Sequence, residues 1–267
     1  MTTKELYNIT DAIAPKVLSD EYCQKYGAYD NSGILIDAGA PIEKVVFSLD
    51  LSDGAVQRAL RENANAIVTH HPAIYGAISA IRLDDGLGEK IVNCIKNGIS
   101  VIAMHLNLDG ANGGIDESLQ EAVLLATKTK TKPNTQMMHP LSQGGYGKAY
   151  DVNETALKAF SQNLGKALGS EKTLYYGDGE RKIGRVASFC GAGVDDETLS
   201  FAKAQGADVI VSSDYKHHFI ARALEMGLAV VVLTHYAAEQ YGFKKFYEKV
   251  SRQTDATCYY HVDEVLL

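Results

Sequence analysis

The segment NAIVTHHP, residues 65–72, contains the clearest indication of how this chain folds. Residues 66–68 form a short apolar run that is typical of a buried strand, and His70 and His71 follow where that strand would end. Ligands of open α/β sheets gather beyond the carboxyl ends of the strands. The segment therefore predicts a strand of an α/β sheet with a binding site at its end.

Short β-rich runs alternate with amphipathic segments on both sides of this point. The first set of predicted elements is 44–49, 55–62, 66–68, 88–96 and 100–103. A second set has the same order and similar spacing: 185–189, 196–204, 209–211, 219–225 and 229–233. Strands that alternate with helices are typical of βαβ units. The chain is therefore predicted to be an α/β protein.

The two sets of elements also match residue against residue, which indicates an internal duplication. The matched segments are NAIVT (65–69) with DVIVS (208–212), and NGISV (97–101) with MGLAV (226–230). Each half then ends in a histidine with an acidic residue four positions later. We predict two α/β halves, at residues 1–127 and 128–267, with no separate linker domain.

Composition limits the classes of partner. The chain has 267 residues, of which 46% are hydrophobic, so it is long enough to bury a sizeable core. A formal charge of −7 gives little attraction for phosphate backbones, and the basic run 128–132 is predicted to be a surface loop. No stretch resembles a signal peptide or a membrane span. We predict a soluble cytoplasmic protein without disulfides, membrane contact or a nucleic-acid partner.

Histidines and acidic residues recur together at the predicted strand ends. They are His70 with His71, His105 with Asp109, and His235 with Glu239. Imidazole and carboxylate groups are the usual ligands of Zn, Mn and Fe(II), and a carboxylate can bridge two ions. A single histidine beside a strand is more often structural, but six groups at matched positions predict a two-metal site between the halves.

These motifs resemble those of the Nif-three-like proteins, some of which are called GTP cyclohydrolase 1 type 2 homologues. The resemblance covers nearly the whole chain. It rests on DNSG (30–33), IVTHHP (67–72), MHLNLD (104–109), NGG (112–114), GGYGK (144–148) and HYAAE (235–239). It implies five ligands for two divalent ions, with Asp109 or Glu239 bridging: His70, His71, Asp109, His235 and Glu239. His105 would then lie beside the ligands.

The resemblance also implies the architecture and assembly. Its members are similar in having two interlocked α/β domains that form a toroidal homohexamer, with metal sites that face an inner cavity. The inserted domain of longer relatives would be missing from this chain. One departure is Ser213, where relatives typically carry glycine. Because glycine enters positive φ without cost, we expect the loop after residues 209–211 to differ in shape from that of relatives.

The chemistry that this reading predicts is metal-dependent hydrolysis of a nucleotide or a related phosphorylated small molecule. His105 would carry a proton to the leaving group, and Lys216 or His218 would contact an anionic substrate. The rival hypothesis is a non-catalytic metal-binding regulatory or metal-handling protein. A third is an unrelated α/β protein whose histidines only satisfy buried polar groups. The donor types suit Fe, Zn or Mn and do not select one metal.

Overall fold

Helices and strands alternate along most of the chain in the computed structural model, which describes residues 1–131 and 133–267. Lys132, the last residue of the predicted basic loop, lies outside the described residues. The helices are α1 (Thr3–Ile13), α2 (Lys16–Tyr26), α3 (Asp53–Glu62), α4 (Gly86–Lys96), α5 (Leu106–Gly110), α6 (Ile115–Ala126), α7 (Leu157–Leu168), α8 (Asp196–Ala204), α9 (His217–Glu225) and α10 (His235–Ser251). The strands are β1 (Gly33–Ile36), β2 (Lys44–Ser48), β3 (Ala66–Thr69), β4 (Ser100–Ala103), β5 (Gln136–Pro140), β6 (Gly145–Ala156), β7 (Leu174–Tyr176), β8 (Lys182–Ser188), β9 (Val209–Ser213), β10 (Ala229–Leu233) and β11 (Thr257–Tyr260).

The first of two units comprises Met1–Ala111 and Phe243–Asp263. Its five-stranded sheet has the order β1-β4-β3-β2-β11, in which all neighbours are parallel except the edge pair β1 and β4. Strands β3 and β4 are buried along their whole length, as parallel strands covered by helices are. The carboxyl ends of β2, β3 and β4 therefore meet at one edge of this sheet.

Helix α3 shows how the local sequence builds this unit. The Ser52 side chain accepts a hydrogen bond from the backbone N–H of Ala55 at 3.0 Å, which starts the helix, and Asn63 in the left-handed conformation ends it. Val56 then joins a buried cluster that includes Ile67 of β3. Burial of side chains of this size contributes about 1.5–3 kcal/mol each. The amphipathic spacing thus fixes α3 against the sheet.

The second unit comprises Asn112–Gly242 and Glu264–Leu267. Its six-stranded sheet has the order β5-β6-β8-β9-β10-β7, in which β8, β9 and β10 run parallel and the other pairs are antiparallel. Leu199 of α8 and Ala223 of α9 join a buried cluster with Ile210 and Val230 of the central strands. The same arrangement of parallel strands and covering helices is thus built a second time.

The prediction of an α/β fold is confirmed. The order β2-α3-β3-α4-β4 in the first unit recurs as β8-α8-β9-α9-β10 in the second, which agrees with the predicted duplication. The strand predicted at 66–68 is β3, and the strand predicted at 229–233 is β10 with the same bounds. The division at 127 and 128 stays a prediction. Among the described residues, no helix combines the length and the apolar character that crossing a membrane requires.

Candidate metal centre

Three histidines of the first unit lie together at the carboxyl ends of β3 and β4. His70 and His71 follow β3 directly, and His105 lies two residues after β4. Because β3 and β4 are parallel neighbours, their ends lie side by side. One ligand atom of each ring lies within 4.8 Å of those of the other two. The sequence prediction that these residues converge is therefore correct within this unit.

Helix α5 adds a carboxylate to this group. The helix begins directly after His105, so that Asp109 lies one turn further on. Asp109 is buried, and its Oδ1 lies 3.5 Å from Nε2 of His70, whose side chain is 0% exposed. The structure thus brings Asp109 close to an imidazole. The partner of Asp109 is His70 rather than the histidine of its own pair.

Each histidine of this group has its Nδ1 atom held by an oxygen. The pairs are His70 with the carbonyl of Met104 at 2.7 Å, His71 with Asp50 at 2.8 Å and His105 with Asp30 at 2.8 Å. A carbonyl or carboxylate oxygen accepts a hydrogen bond, so Nδ1 carries the proton of each neutral ring. The lone pair is then on Nε2. This is the arrangement in which proteins usually present histidine to a metal.

Asp30 is an anion that can orient the ring of His105. Burial opposes its ionisation, but hydrogen bonds from His105, Ser19 and Ser32 outweigh burial and lower the pKa of Asp30 to about 2. Its carboxylate is therefore ionised at neutral pH and orients the His105 ring. Ser32 also accepts a hydrogen bond from the backbone N–H of His105 at 3.0 Å. The DNSG segment thus supports the site.

The second unit holds the other predicted pair. His235 begins α10 just after β10, and Glu239 lies one turn later, 3% exposed. Nδ1 of His235 lies 2.6 Å from Oδ2 of Asp214, and its Nε2 lies 3.1 Å from Oε1 of Glu239. With Nδ1 donating to Asp214, a neutral ring directs its Nε2 lone pair at a carboxylate oxygen. A second proton or a cation is required between those two atoms.

Gly191 forms one wall beside this pair, and sequence reasoning did not identify it. Its φ is +60°, and a Cβ atom built on it would lie 2.5 Å from Oε1 of Glu239 and 3.6 Å from the His235 ring. Any other residue there would displace the Glu239 carboxylate and strain the backbone. The signal in the sequence was a glycine shortly after β8, at the same edge of the sheet as His235. Asp50, which lies two residues after β2, was also not identified.

The expected difference in loop shape from relatives stays a prediction, and the residue with positive φ is the one after Ser213. Ser213 is the last residue of β9 and pairs with Leu233, so its backbone is extended. The left-handed residue is Asp214, with a φ of 53°. Asp214 adopts this conformation more easily than most residues do, and there its side chain reaches His235. Serine at 213 therefore fits the strand, and the turn comes one residue later.

Lys216 and His218 lie at the exposed start of α9. Lys216 is the residue before the helix, and His218 packs on the ring of Phe219 at 4.2 Å between centroids. Both follow Asp214 closely, which connects this helix start to His235. Their contact with a substrate stays a prediction, as does the role of His105. The structure thus shows groups in each unit that suit a metal ion, and the predicted ligand assignment is carried forward as a proposal.

Comparison with known proteins gives the family. The profile described as Duf34/NIF3 (NGG1p interacting factor 3) matches residues 1–264. A Clostridium perfringens protein named GTP cyclohydrolase 1 type 2 homolog is 30% identical over 258 residues, covering 96% of this chain and 94% of that protein. The crystal structure of a Bacillus cereus protein related to NIF3 has a TM-score of 0.78 at 21% identity and covers 98% of this chain and 96% of its own. Reduced HcgD from Methanocaldococcus jannaschii has a TM-score of 0.77 at 26% identity, with 97% of each chain covered. Because the family profile spans nearly every residue, the chain belongs to the Duf34/NIF3 (NGG1p interacting factor 3) family.

Proposed function

We propose that this protein is a metal-dependent hydrolase that binds two divalent ions and acts on a nucleotide or a related phosphorylated small molecule. One observation carries the metal part of the proposal. In each unit a histidine whose Nδ1 is held by an oxygen directs Nε2 at a buried carboxylate: His70 at Asp109, and His235 at Glu239. A divalent cation between such atoms satisfies both electron pairs at once.

The proposed ligands come from both units. His70, His71 and Asp109 belong to the first unit, and His235 and Glu239 belong to the second. Nitrogen and oxygen donors of this kind suit Fe, Zn or Mn. We propose that all five serve one dinuclear centre, as the family resemblance implies. Magnetic coupling between two bound Mn²⁺ ions, seen by electron paramagnetic resonance, would support a shared centre, and two isolated Mn²⁺ signals would contradict it.

Two such ions, when bound, lower the pKa of coordinated water and polarise the bond under attack. Residues of the chain would supply proton transfer and contacts with the substrate. His105, whose ring is oriented by the Asp30 carboxylate, would carry a proton to a leaving group. Lys216 and His218, exposed at the start of α9, would contact an anionic part of the substrate. The name shared by several relatives, GTP cyclohydrolase 1 type 2 homolog, supports a nucleotide as the first substrate to test.

Elemental analysis of protein purified without chelator, paired with a nucleotide hydrolysis screen, tests the proposal. We expect two divalent ions per chain and release of phosphate or pyrophosphate from at least one nucleotide. His105→Ala should retain both ions and lose turnover. Protein that binds two ions, but turns over no nucleotide or phosphoester, would favour the regulatory alternative. Protein that retains no ion and takes none up would contradict the metal site itself.

The assembly proposed from the family resemblance is a homohexamer in the cytoplasm. Light scattering on the purified protein measures the number of chains directly. A monomer at micromolar concentration would contradict this assembly and would leave the metal proposal to be judged on its own measurements.

A further inference from the structure

Four side chains form hydrogen bonds with the backbone of Cys190 and Gly191 in the second unit. The N–H of Cys190 donates to Asp116 at 3.2 Å, and the Cys190 carbonyl accepts from the Tyr146 hydroxyl at 2.7 Å. The Gly191 carbonyl accepts from the hydroxyls of Ser212 at 3.1 Å and Ser213 at 2.7 Å. The position of Gly191 is therefore tightly defined.

A buried ion pair supports one side of this arrangement. Asp116 is 0% exposed and pairs with Lys148, which is 3% exposed. Asp116 also accepts from the N–H of Gly147 at 3.1 Å, and Lys148 donates to the Gly145 carbonyl at 2.9 Å. A buried pair is stable only when its remaining hydrogen bonds are made, and here they are. Asp116 is thus fixed before it receives the Cys190 N–H.

The GGYGK segment, residues 144–148, supplies two members of this network, Tyr146 and Lys148. Its last glycine, Gly147, has a φ of +69°, and a Cβ there would lie 2.8 Å from the ring of Phe189. The segment therefore has to approach the residues after β8 closely. This close approach is what brings the Tyr146 hydroxyl to the Cys190 carbonyl. The proposed hydrolysis assigns no other role to this segment.

The Gly191 backbone lies beside Glu239. The Cβ position of Gly191 is 2.5 Å from Oε1 of Glu239, so the Gly191 backbone limits where that carboxylate can lie. Metal affinity is sensitive to such limits, and loss of a group that supports a ligand typically costs 10–100-fold. Displacement of the Gly191 backbone would remove that limit on the Glu239 carboxylate.

We propose that Tyr146, Ser213 and the Lys148–Asp116 pair are positioning residues that hold the backbone of Cys190 and Gly191 against Glu239 and thereby set the affinity of its metal ion. This inference rests on the proposed function, since it takes Glu239 to be a ligand. It assigns a role to the GGYGK segment and to Ser213. The ligand concerned is a divalent cation, and the residues act on it only through Glu239.

The test compares deletions of single hydroxyl groups. Zn²⁺ affinity of the full chain is measured by competition with a chromophoric chelator, and the coordination is followed by the visible spectrum of the Co²⁺-loaded protein. Glu239→Gln first identifies which ion depends on Glu239. Tyr146→Phe and Ser213→Ala should each weaken that ion by about tenfold and shift its Co²⁺ bands. The matched control is Tyr150→Phe, which removes a buried hydroxyl of the same strand that bonds Ser188 instead.

The possible outcomes separate this inference from the proposed function. If Glu239→Gln leaves Zn²⁺ binding intact, the proposed function is wrong and this inference falls with it. If Glu239→Gln removes an ion, but Tyr146→Phe and Ser213→Ala bind Zn²⁺ like the wild type, only the positioning role is wrong. The same holds if Tyr150→Phe weakens Zn²⁺ as much as Tyr146→Phe does. Loss confined to Tyr146→Phe and Ser213→Ala, at melting temperatures close to that of the control, supports the role.

Discussion

Substitution of Gly191 by alanine is the sharpest test of the proposal that Glu239 binds a metal ion. The new methyl group would lie 2.5 Å from Oε1 of Glu239, whereas ordinary contact begins at 3.4 Å. Either the carboxylate or the backbone therefore has to move by about 0.9 Å, the difference between those two distances. Oxygen ligands of metals such as zinc tolerate deviations of only about 0.2 Å. We expect Gly191→Ala to lose the ion that depends on Glu239.

The backbone effect of this substitution is predictable separately. Gly191 has a φ of +60°, and alanine in the left-handed region costs about 1–2 kcal/mol. In a chain of this size that cost lowers the melting temperature by roughly 2–8 °C. Gly206→Ala is a matched control, because Gly206 has a φ of +68° in the same unit and nothing lies within 4 Å of its Cβ position. The control carries the strain without the steric clash.

Zn²⁺ competition and thermal unfolding of the two variants decide the matter. Both variants should lose similar stability in the metal-free state, and only Gly191→Ala should lose at least about tenfold in Zn²⁺ affinity. Gly191→Ala with wild-type affinity would refute the reasoning that Glu239 binds metal at this wall. Equal losses of affinity in both variants would show that backbone strain, rather than contact with Glu239, is responsible.

Three further predictions concern residues that contact or support the candidate ligands and their neighbours. Asp50→Ala removes the partner of Nδ1 of His71 and should weaken divalent-ion binding by about tenfold; unchanged affinity in chelator competition would show that other contacts orient this ring. Lys148→Met leaves the buried Asp116 carboxylate without its cation, so urea unfolding should show a loss of about 3–5 kcal/mol, and a loss under about 1 kcal/mol would contradict the importance of the pair. The pKa of Asp30 in the folded chain, about 2, is below its ordinary value of 3.8, so its contribution to stability is present above the ordinary value and is lost as the pH falls through about 2. The difference in unfolding free energy between metal-free wild type and Asp30→Asn should therefore be constant above about pH 5 and shrink by about 2 kcal/mol towards pH 2; a constant difference down to pH 2 would rule out this account.

Sequence periodicity predicted the strands that carry the site because those strands are buried and short. Residues 66–68 and 229–233 are apolar runs rich in β-branched residues, and burial in the sheet agrees with this local preference. The histidines that follow were equally visible, since a polar pair after a buried strand interrupts the apolar pattern. What the sequence could not give was the partner of each ring. That depends on which strands become neighbours, and sheet order is a long-range property.

Asp50 and Asp214 illustrate this point. Each follows a strand that lies beside, and parallel to, the strand that carries its histidine: β2 beside β3, and β9 beside β10. Once the sheet order is known, each aspartate is an obvious candidate to hold the histidine that follows the next strand. Gly191 was invisible for a different reason. A glycine after a strand is common, and only the position of the Glu239 carboxylate shows that a methyl group would not fit.

The duplication explains why the residues at matched positions of the two units have different roles although the order of strands and helices is the same. Counting on from the matched segments 65–69 and 208–212 places His70 and His71 opposite Ser213 and Asp214. The backbone hydrogen bonds at these two positions are similar. The N–H of His70 donates to the carbonyl of Leu49, the residue after β2, and the N–H of Ser213 donates to the carbonyl of Gly191 in the loop after β8. The side chains have diverged. In the first unit the pair presents two imidazoles, whereas in the second unit it holds Gly191 and His235 in place. A double substitution that puts histidines at 213 and 214 would therefore not create a second copy of the first site. It would remove two supports of Glu239 and His235, and Zn²⁺ affinity in the second unit should fall rather than rise.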